Sequence, residues 1–232
     1  MATDEGTTRV ARLHHILRGD VLRGVLTPGQ PLRLAALAKT HDVSMSVVRE
    51  ALARLAEGNL AVLTPNHGYR VVEVSREDLV AITELRVILE ADALRRSIEH
   101  GDVAWESEVV ASHHVLERAT PYLSDGPGST QEWSDAHSAF HSALIAACDN
   151  PRMLAITRQL RDGAEIYRQL SDGSQRASSA ANPGERNIAA EHRELMELAT
   201  ARDPRVVEAL QRHLQRTTDD LIGSGIFGEP RR

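Results

Sequence analysis

Residues 43–52 read Val43-Ser44-Met45-Ser46-Val47-Val48-Arg49-Glu50-Ala51-Leu52, and Gly58-Asn59-Leu60 and Pro65-Asn66-His67-Gly68-Tyr69 follow. Ser44 and Ser46 are good N-cap residues for a helix. Val47, Val48, Ala51, Leu52 and Leu55 recur at helical spacing and predict one buried face. Ser44, Met45, Ser46 and Arg49 are left on the other side, at the helix start. Gly58 is a helix stop. Leu60-Ala61-Val62-Leu63 and Tyr69-Arg70-Val71-Val72 read as strands joined by the turn residues Pro65 to Gly68. The pattern is a recognition helix running into a two-stranded wing.

Upstream residues complete the module. Val10, Leu13, Ile16, Leu17 and Val21 make an amphipathic first helix, Pro28-Gly29 a turn, and Leu34, Leu37 and Ala38 a short second helix ending near His41. Helix, short helix, helix and hairpin within about 75 residues form a winged helix-turn-helix, and double-stranded DNA is its expected partner. The expected DNA-facing residues are Arg33, Ser44, Met45, Ser46, Arg49, His67, Gly68 and Arg70.

Charge is divided to match. The chain of 232 residues carries a formal net charge of -6, yet residues 1–75 hold 9 Lys+Arg against 7 Asp+Glu, and the remainder 18 against 26. Only the first part suits phosphate. One cysteine, Cys148, excludes an intrachain disulfide and fits a cytoplasmic location. No apolar run approaches membrane-spanning length, so no membrane partner is expected. Residues 1–8 are polar and expected to be disordered, with 9–74 the DNA-binding domain and 223–232 a tail.

From Arg76 the periodicity is helical throughout. Six helices are expected, at about 76–99, 102–121, 130–148, 151–172, 185–201 and 203–222, forming an antiparallel bundle over 76–222. The fold class is mainly α, with one small β-hairpin. Ser124 to Ser129 reads as a turn, and Ser171 to Gly184 as a polar loop that could close over a ligand. Glu73-Val74-Ser75 is the junction.

His137 and His141 lie four apart, on one helix face with Trp133, Leu144 and Cys148. His192 lies among Ile188, Leu195 and Ala199, and His213 among Val206, Leu210, Thr217 and Leu221. Each stripe is apolar, so three helices point imidazole inward. Taken singly, each is a satisfied core histidine; brought together, they make an all-nitrogen metal site. Arg86 falls on the apolar stripe Leu79, Ile82, Leu89 and Ala93. A buried guanidinium wants a carboxylate, which is either an acidic effector or Glu90. Adjacent His113 and His114 face different ways. Trp105 and Trp133 read as packing anchors. No phosphate-binding glycine loop and no organised nucleophile is present.

Pro28-Gly29, Leu37-Ala38, Val43-Ser44, Val48-Arg49-Glu50-Ala51-Leu52 and His67-Gly68 resemble the GntR transcription regulators. The downstream helices resemble the FCD ligand-binding domain of that family's FadR branch. Met45 departs from the family's usual Arg and Val47 from a common Pro, so base preference does not carry over. Metal-binding FCD domains carry an Asp-x-x-x-His pair and two further histidines. His141, His192 and His213 match those three histidines, and His137 stands where the family usually has Asp. His192 to His213 is one residue shorter than the common spacing.

Imidazole in place of carboxylate favours Zn(II), Ni(II) or Cu(II) over Mn(II) or Mg(II). It also leaves the metal charge to be balanced by an anionic ligand. The resemblance places Arg86 near the pocket and implies a homodimer on a palindromic operator. It further implies a repressor that senses a small carboxylate. Two alternatives stand beside it. One is a metal-dependent hydrolase or lyase on the histidine bundle, for which no general base is evident: Asp135 faces away, and Glu191 lies about 100° around the helix from His192. The other is a sensor of the metal ion itself.

Overall fold

The computed structural model describes residues 2–121, 128–171 and 186–227. It divides into two compact units, Met1–Ser75 and Arg76–Arg232.

The first unit is a winged helix-turn-helix. Helix α1 spans Ala2–Leu22, α2 Leu34–His41 and α3 Met45–Glu57. Val10, Leu13, Leu17 and Val21 of α1 pack with Val48, Ala51, Leu52 and Leu55 of α3, each no more than 2% exposed. Four such side chains from each helix supply the apolar area that holds a domain of this size together. Asp42 ends α2 in the left-handed region (φ 51°). Ser44 then caps α3, its side chain accepting from Val47 N. The wing strands are β2 (Ala61–Thr64) and β3 (Gly68–Val71), antiparallel with Val62 opposite Arg70.

Two details differ from expectation. A third strand, β1 (Pro31–Leu32), pairs with β3, so the sheet order is β1-β3-β2. Two residues are too few to show a period of two. Helix α1 also runs back through residues expected to be disordered. No proline interrupts the stretch from Ala2 to Val10, so the helix propagates backwards at one hydrogen bond per residue.

The second unit contains six helices among the described residues: α4 (Arg76–His100), α5 (Val103–Arg118), α6 (Gln131–Leu144), α7 (Pro151–Leu170), α8 (Ile188–Thr200) and α9 (Arg205–Gly223). Asp102, Thr130, Asn150 and Asn187 cap four of them, each side chain accepting from a backbone N–H three residues on. The helices close a ring. α4 packs on α9 and α7, α5 on α6 and α8, and α8 on α9. Hydrogen bonds from Arg161 to Ser142 and from Ser134 to Glu165 join α7 to α6. Phe140, Leu144, Leu94, Val109, Leu195 and Leu210 fill the centre. Trp105 anchors α5 to α6, its Nε1–H donating to the Ala143 carbonyl at 2.9 Å. Residues 122–127 of the expected turn, and 172–184 of the expected loop, lie outside the described residues.

Candidate functional site

The exposed start of α3 carries Ser44, Met45, Ser46 and Arg49, and His67 is exposed at the wing turn. Ser44 and Ser46 share a hydrogen bond at 2.8 Å, which holds the two hydroxyls side by side. Gly68 follows with φ 76°, a conformation that lets the wing turn tightly without a Cβ clash. Arg33 is exposed at the N-cap of α2. Arg70 is different. It is half-buried and donates to the Gly29 carbonyl at 3.0 Å, joining β3 to the Pro28-Gly29 turn. Its first task is therefore to hold the sheet.

In the helical unit, His137 and His141 of α6 meet His192 of α8 and His213 of α9. One ring nitrogen from each lies within 4.8 Å of the others, and all four side chains are buried. The shorter spacing from His192 to His213 is accommodated between α8 and α9, where Arg202 turns the chain at φ 53°.

The four rings are not equivalent. Nδ1 of His213 lies 2.8 Å from Oε2 of Glu191. An ionised carboxylate only accepts, so His213 donates from Nδ1 and keeps the lone pair of Nε2 free. Burial alone would raise the Glu191 carboxyl, but bonds from His213 and Arg186 hold it at about 2. Arg186 also reaches Asp220 and Thr217, fixing Glu191 from behind. Neither ring nitrogen of His141 has a hydrogen-bond partner, nor has Nε2 of His192. Each buried unsatisfied group costs about 1–3 kcal/mol, and one unpartnered lone pair from each of His141 and His192 fits a missing electrophile at the cluster.

Burial pushes His137, His141 and His192 well below the ordinary imidazole value of 6.5. Arg168 reinforces this at His137, and His213 does so at His141 and His192. Burial also lowers His213, against the opposing pull of Glu191. Neutral imidazole is the form that coordinates a metal. The donor set is nitrogen only, since Asp135 is exposed and accepts instead from Gln131.

Cations surround the cluster. Arg86 is buried as expected, and its Nε donates to Glu90 Oε1 at 2.7 Å, so the structure realises the intrahelical partner. Arg161 Nη1 stands 4.0 Å from the other Glu90 oxygen, and that oxygen has no hydrogen-bond partner. Arg168 lies 3.2 Å from Glu165 and sits 5.8 Å over the Trp133 ring, which itself stacks on His137. A cavity of about 200 Å³ borders His192 and Trp133, walled by Leu116, Ile188 and His113.

Two family models match the chain: "Bacterial regulatory proteins, gntR family" over residues 9–71 and "FCD domain" over residues 81–216. The chain belongs to the GntR family. The HTH-type transcriptional regulator BphR of Paraburkholderia xenovorans (strain LB400) is 34% identical over 203 residues, 86% of this chain and 79% of that protein. The HTH-type transcriptional repressor GlaR of Escherichia coli (strain K12) is 31% identical over 152 residues, covering 66% and 69%. Among solved structures, a GntR regulator from Rhodococcus sp. RHA1 matches with a TM-score of 0.73 at 20% identity, over 94% of this chain and 99% of that one. E. coli McbR/YncC matches with a TM-score of 0.74 at 22% identity, over 93% and 97%. These two share the fold. Membership in the family makes the chain a DNA-binding transcription regulator rather than an enzyme.

Sequence reasoning missed Arg161, Arg168, Arg186 and the role of Glu191. Arg161 and Arg168 repeat the signal that marked Arg86. With Thr157 and Ala164 they form an i, i+4, i+7, i+11 stripe on the inward face of α7.

Proposed function

We propose that this GntR regulator is a repressor whose helical domain senses a small carboxylate beside a bound divalent metal. The observation that carries the reading is the cluster of four buried imidazoles with three unpartnered nitrogens. His141, His192 and His213 would hold the metal, with His137 closing the fourth side of the site. Zinc or nickel suits an all-imidazole set. Such an ion supplies positive charge and open positions for a carboxylate oxygen.

Charge supports an anionic effector. Arg168 contacts the neutral His137, and Arg86 and Arg161 lie close enough to depress His141. The 200 Å³ cavity reaches the cluster at His192 and is also lined by Arg186. Arg86 would act through its field, because direct contact would require displacing Glu90. Relatives named repressors, GlaR among them, support the sign.

DNA would be held by Ser44, Met45, Ser46 and Arg49 in the major groove, with Arg33, His67 and Gly68 near the backbone and Arg70 behind them. Phosphate contacts position such a module, and the groove-facing side chains read bases. A homodimer on a palindromic operator fits two-fold symmetry. Ala81, Leu85 and Ile88 of α4 support it, forming an exposed apolar stripe at i, i+4 and i+7, with Ile88 63% exposed. Effector binding would shift the population of dimer geometries through the junction near residue 74, and a preference of about 1–3 kcal/mol is enough. Among the described residues no helix is long and apolar enough to cross a membrane.

The test uses the full chain and DNA from its own upstream region. Anisotropy is followed as carboxylates are added to the zinc-loaded and chelator-treated protein. Release of DNA by a carboxylate only with metal present supports the reading. Equal response in both preparations removes the metal from it.

A further inference from the structure

The exposed start of α3 offers DNA fewer free polar groups than its residues suggest. Ser44 and Ser46 share one hydrogen bond at 2.8 Å, and the Ser44 hydroxyl also accepts from the Val47 amide. One of the two hydroxyl protons is therefore spent inside the pair. Glu50 is held by Arg54, one turn further along, at 2.8 Å. Val48, Ala51, Leu52 and Leu55 are buried in the unit. Two long side chains remain exposed without a polar partner among the described residues, Met45 and Arg49.

They lie four apart, one turn from each other on the same helix face. Arg49 brings five N–H donors, and Met45 brings none. Met45 is 49% exposed at the first residue of α3, so the core of the unit does not explain an apolar side chain there. A thioether accepts hydrogen bonds only weakly. It gains little from the amino and carbonyl groups that most base edges present. In the major groove guanine shows two acceptors, cytosine an amino donor, and adenine one of each. Only thymine shows a methyl group. Setting Met45 over an amino or carbonyl edge would displace water without replacing its hydrogen bonds. Setting it over a thymine methyl buries apolar surface on both sides.

We propose that Met45 is a specificity-determining residue that reads the C5-methyl group of a thymine in the operator and rejects G·C at that base pair. This rests on the placement of α3 in the major groove given above. Arg49 supplies charge and hydrogen bonds to the DNA, and Met45 supplies discrimination without charge. The same step of the helix therefore separates attraction from readout.

The full chain is first used to select binding sequences from a random-sequence duplex library. The enriched duplex is then made with each thymine in turn replaced by deoxyuracil, which removes only the methyl group. Anisotropy at one fixed salt concentration gives the affinities. At one thymine position, uracil should weaken binding of the wild-type chain by about fourfold, the transfer value of one buried methyl group. The same replacement should cost the Met45→Ala protein almost nothing, whereas Met45→Leu, still apolar, should keep most of the loss. Met45→Arg should move the favoured base pair at that position from A·T to G·C. Met45 is exposed, so these variants leave the buried face of α3 intact. An enriched duplex without thymine, uracil tolerated at every thymine, or equal uracil penalties in wild type and Met45→Ala would overturn the proposal. Failure to enrich any sequence, or DNA affinity unchanged in Arg49→Ala, is a separate result. It removes the placement of α3 in the groove, and this inference with it.

Discussion

Lowering the pH of the metal-free protein should destabilise the helical unit well above the range where carboxylates titrate. Burial holds His137, His141 and His192 well below 6.5 in the fold. Their folded values are depressed, so they stay neutral while the unfolded chain takes up protons as pH falls through about 6.5. Stability therefore falls with pH in that window. For a histidine neutral in the fold throughout, the loss from pH 7.5 to 5.5 is about 1.4 kcal/mol, and three give about 4 kcal/mol. That is a large share of the 5–15 kcal/mol typical of a domain. The cleanest assay is proton uptake on unfolding in guanidinium at pH 6, because it requires no two-state assumption. About two to three protons per chain should be taken up beyond those bound by the exposed histidines. His141→Asn should remove a little under one, roughly its share of the titration. Uptake near zero, or uptake unchanged by His141→Asn, would show that the rings protonate freely in the fold and refute the burial argument.

Arg49→Ala should weaken DNA binding at every effector level and reduce the slope of log affinity against log salt by about 1 if its contact is to phosphate; anisotropy across a salt series reads both. His141→Ala should leave effector-free DNA binding intact and abolish the carboxylate response, which a titration of labelled DNA separates. Glu191→Gln keeps the size but removes the anion that orients His213, so Zn(II) affinity should fall about 10–100-fold in a competition assay. Leu52→Ala empties a fully buried position in the first unit and should cost about 2–5 kcal/mol in thermal or urea unfolding.

Local periodicity explains what could be read in advance. The winged module is legible because α3 announces its cap, its buried stripe and its stop within about fifteen residues, and a helix of that length carries its own signature. The inward face of each histidine was legible for the same reason. Their meeting point was not, because periodicity fixes the face of a helix and says nothing about which helices adjoin; the family resemblance supplied that link. Glu191 shows the limit most clearly. Its angle of about 100° from His192 argues against a role beside that residue on α8. The same angle points it at α9, where His213 sits with its Nδ1 2.8 Å away. Arg168 was missed although its stripe resembles that of Arg86, and Arg186, just ahead of the α8 cap, has no periodic context at all.

The substitution at position 137 changes what the site needs from a ligand. A carboxylate there could have paired with Arg168 and contributed negative charge to a bound cation. Imidazole does neither, and the guanidinium lies against its ring without being neutralised by it. Arg168 pairs with Glu165, while Glu90 lies between Arg86 and Arg161. Burial disfavours the positive forms of Arg161, Arg168 and the four imidazoles, so further positive charge meets an electrostatic deficit where the imidazoles converge. A divalent cation deepens that deficit and an anion relieves it. Metal and carboxylate should therefore bind with positive coupling, each raising the affinity of the other by the same factor. That reciprocity would give a regulator built on this cluster its sensitivity to the anion, with the ion as the fixed part of the receptor and the carboxylate as the variable one.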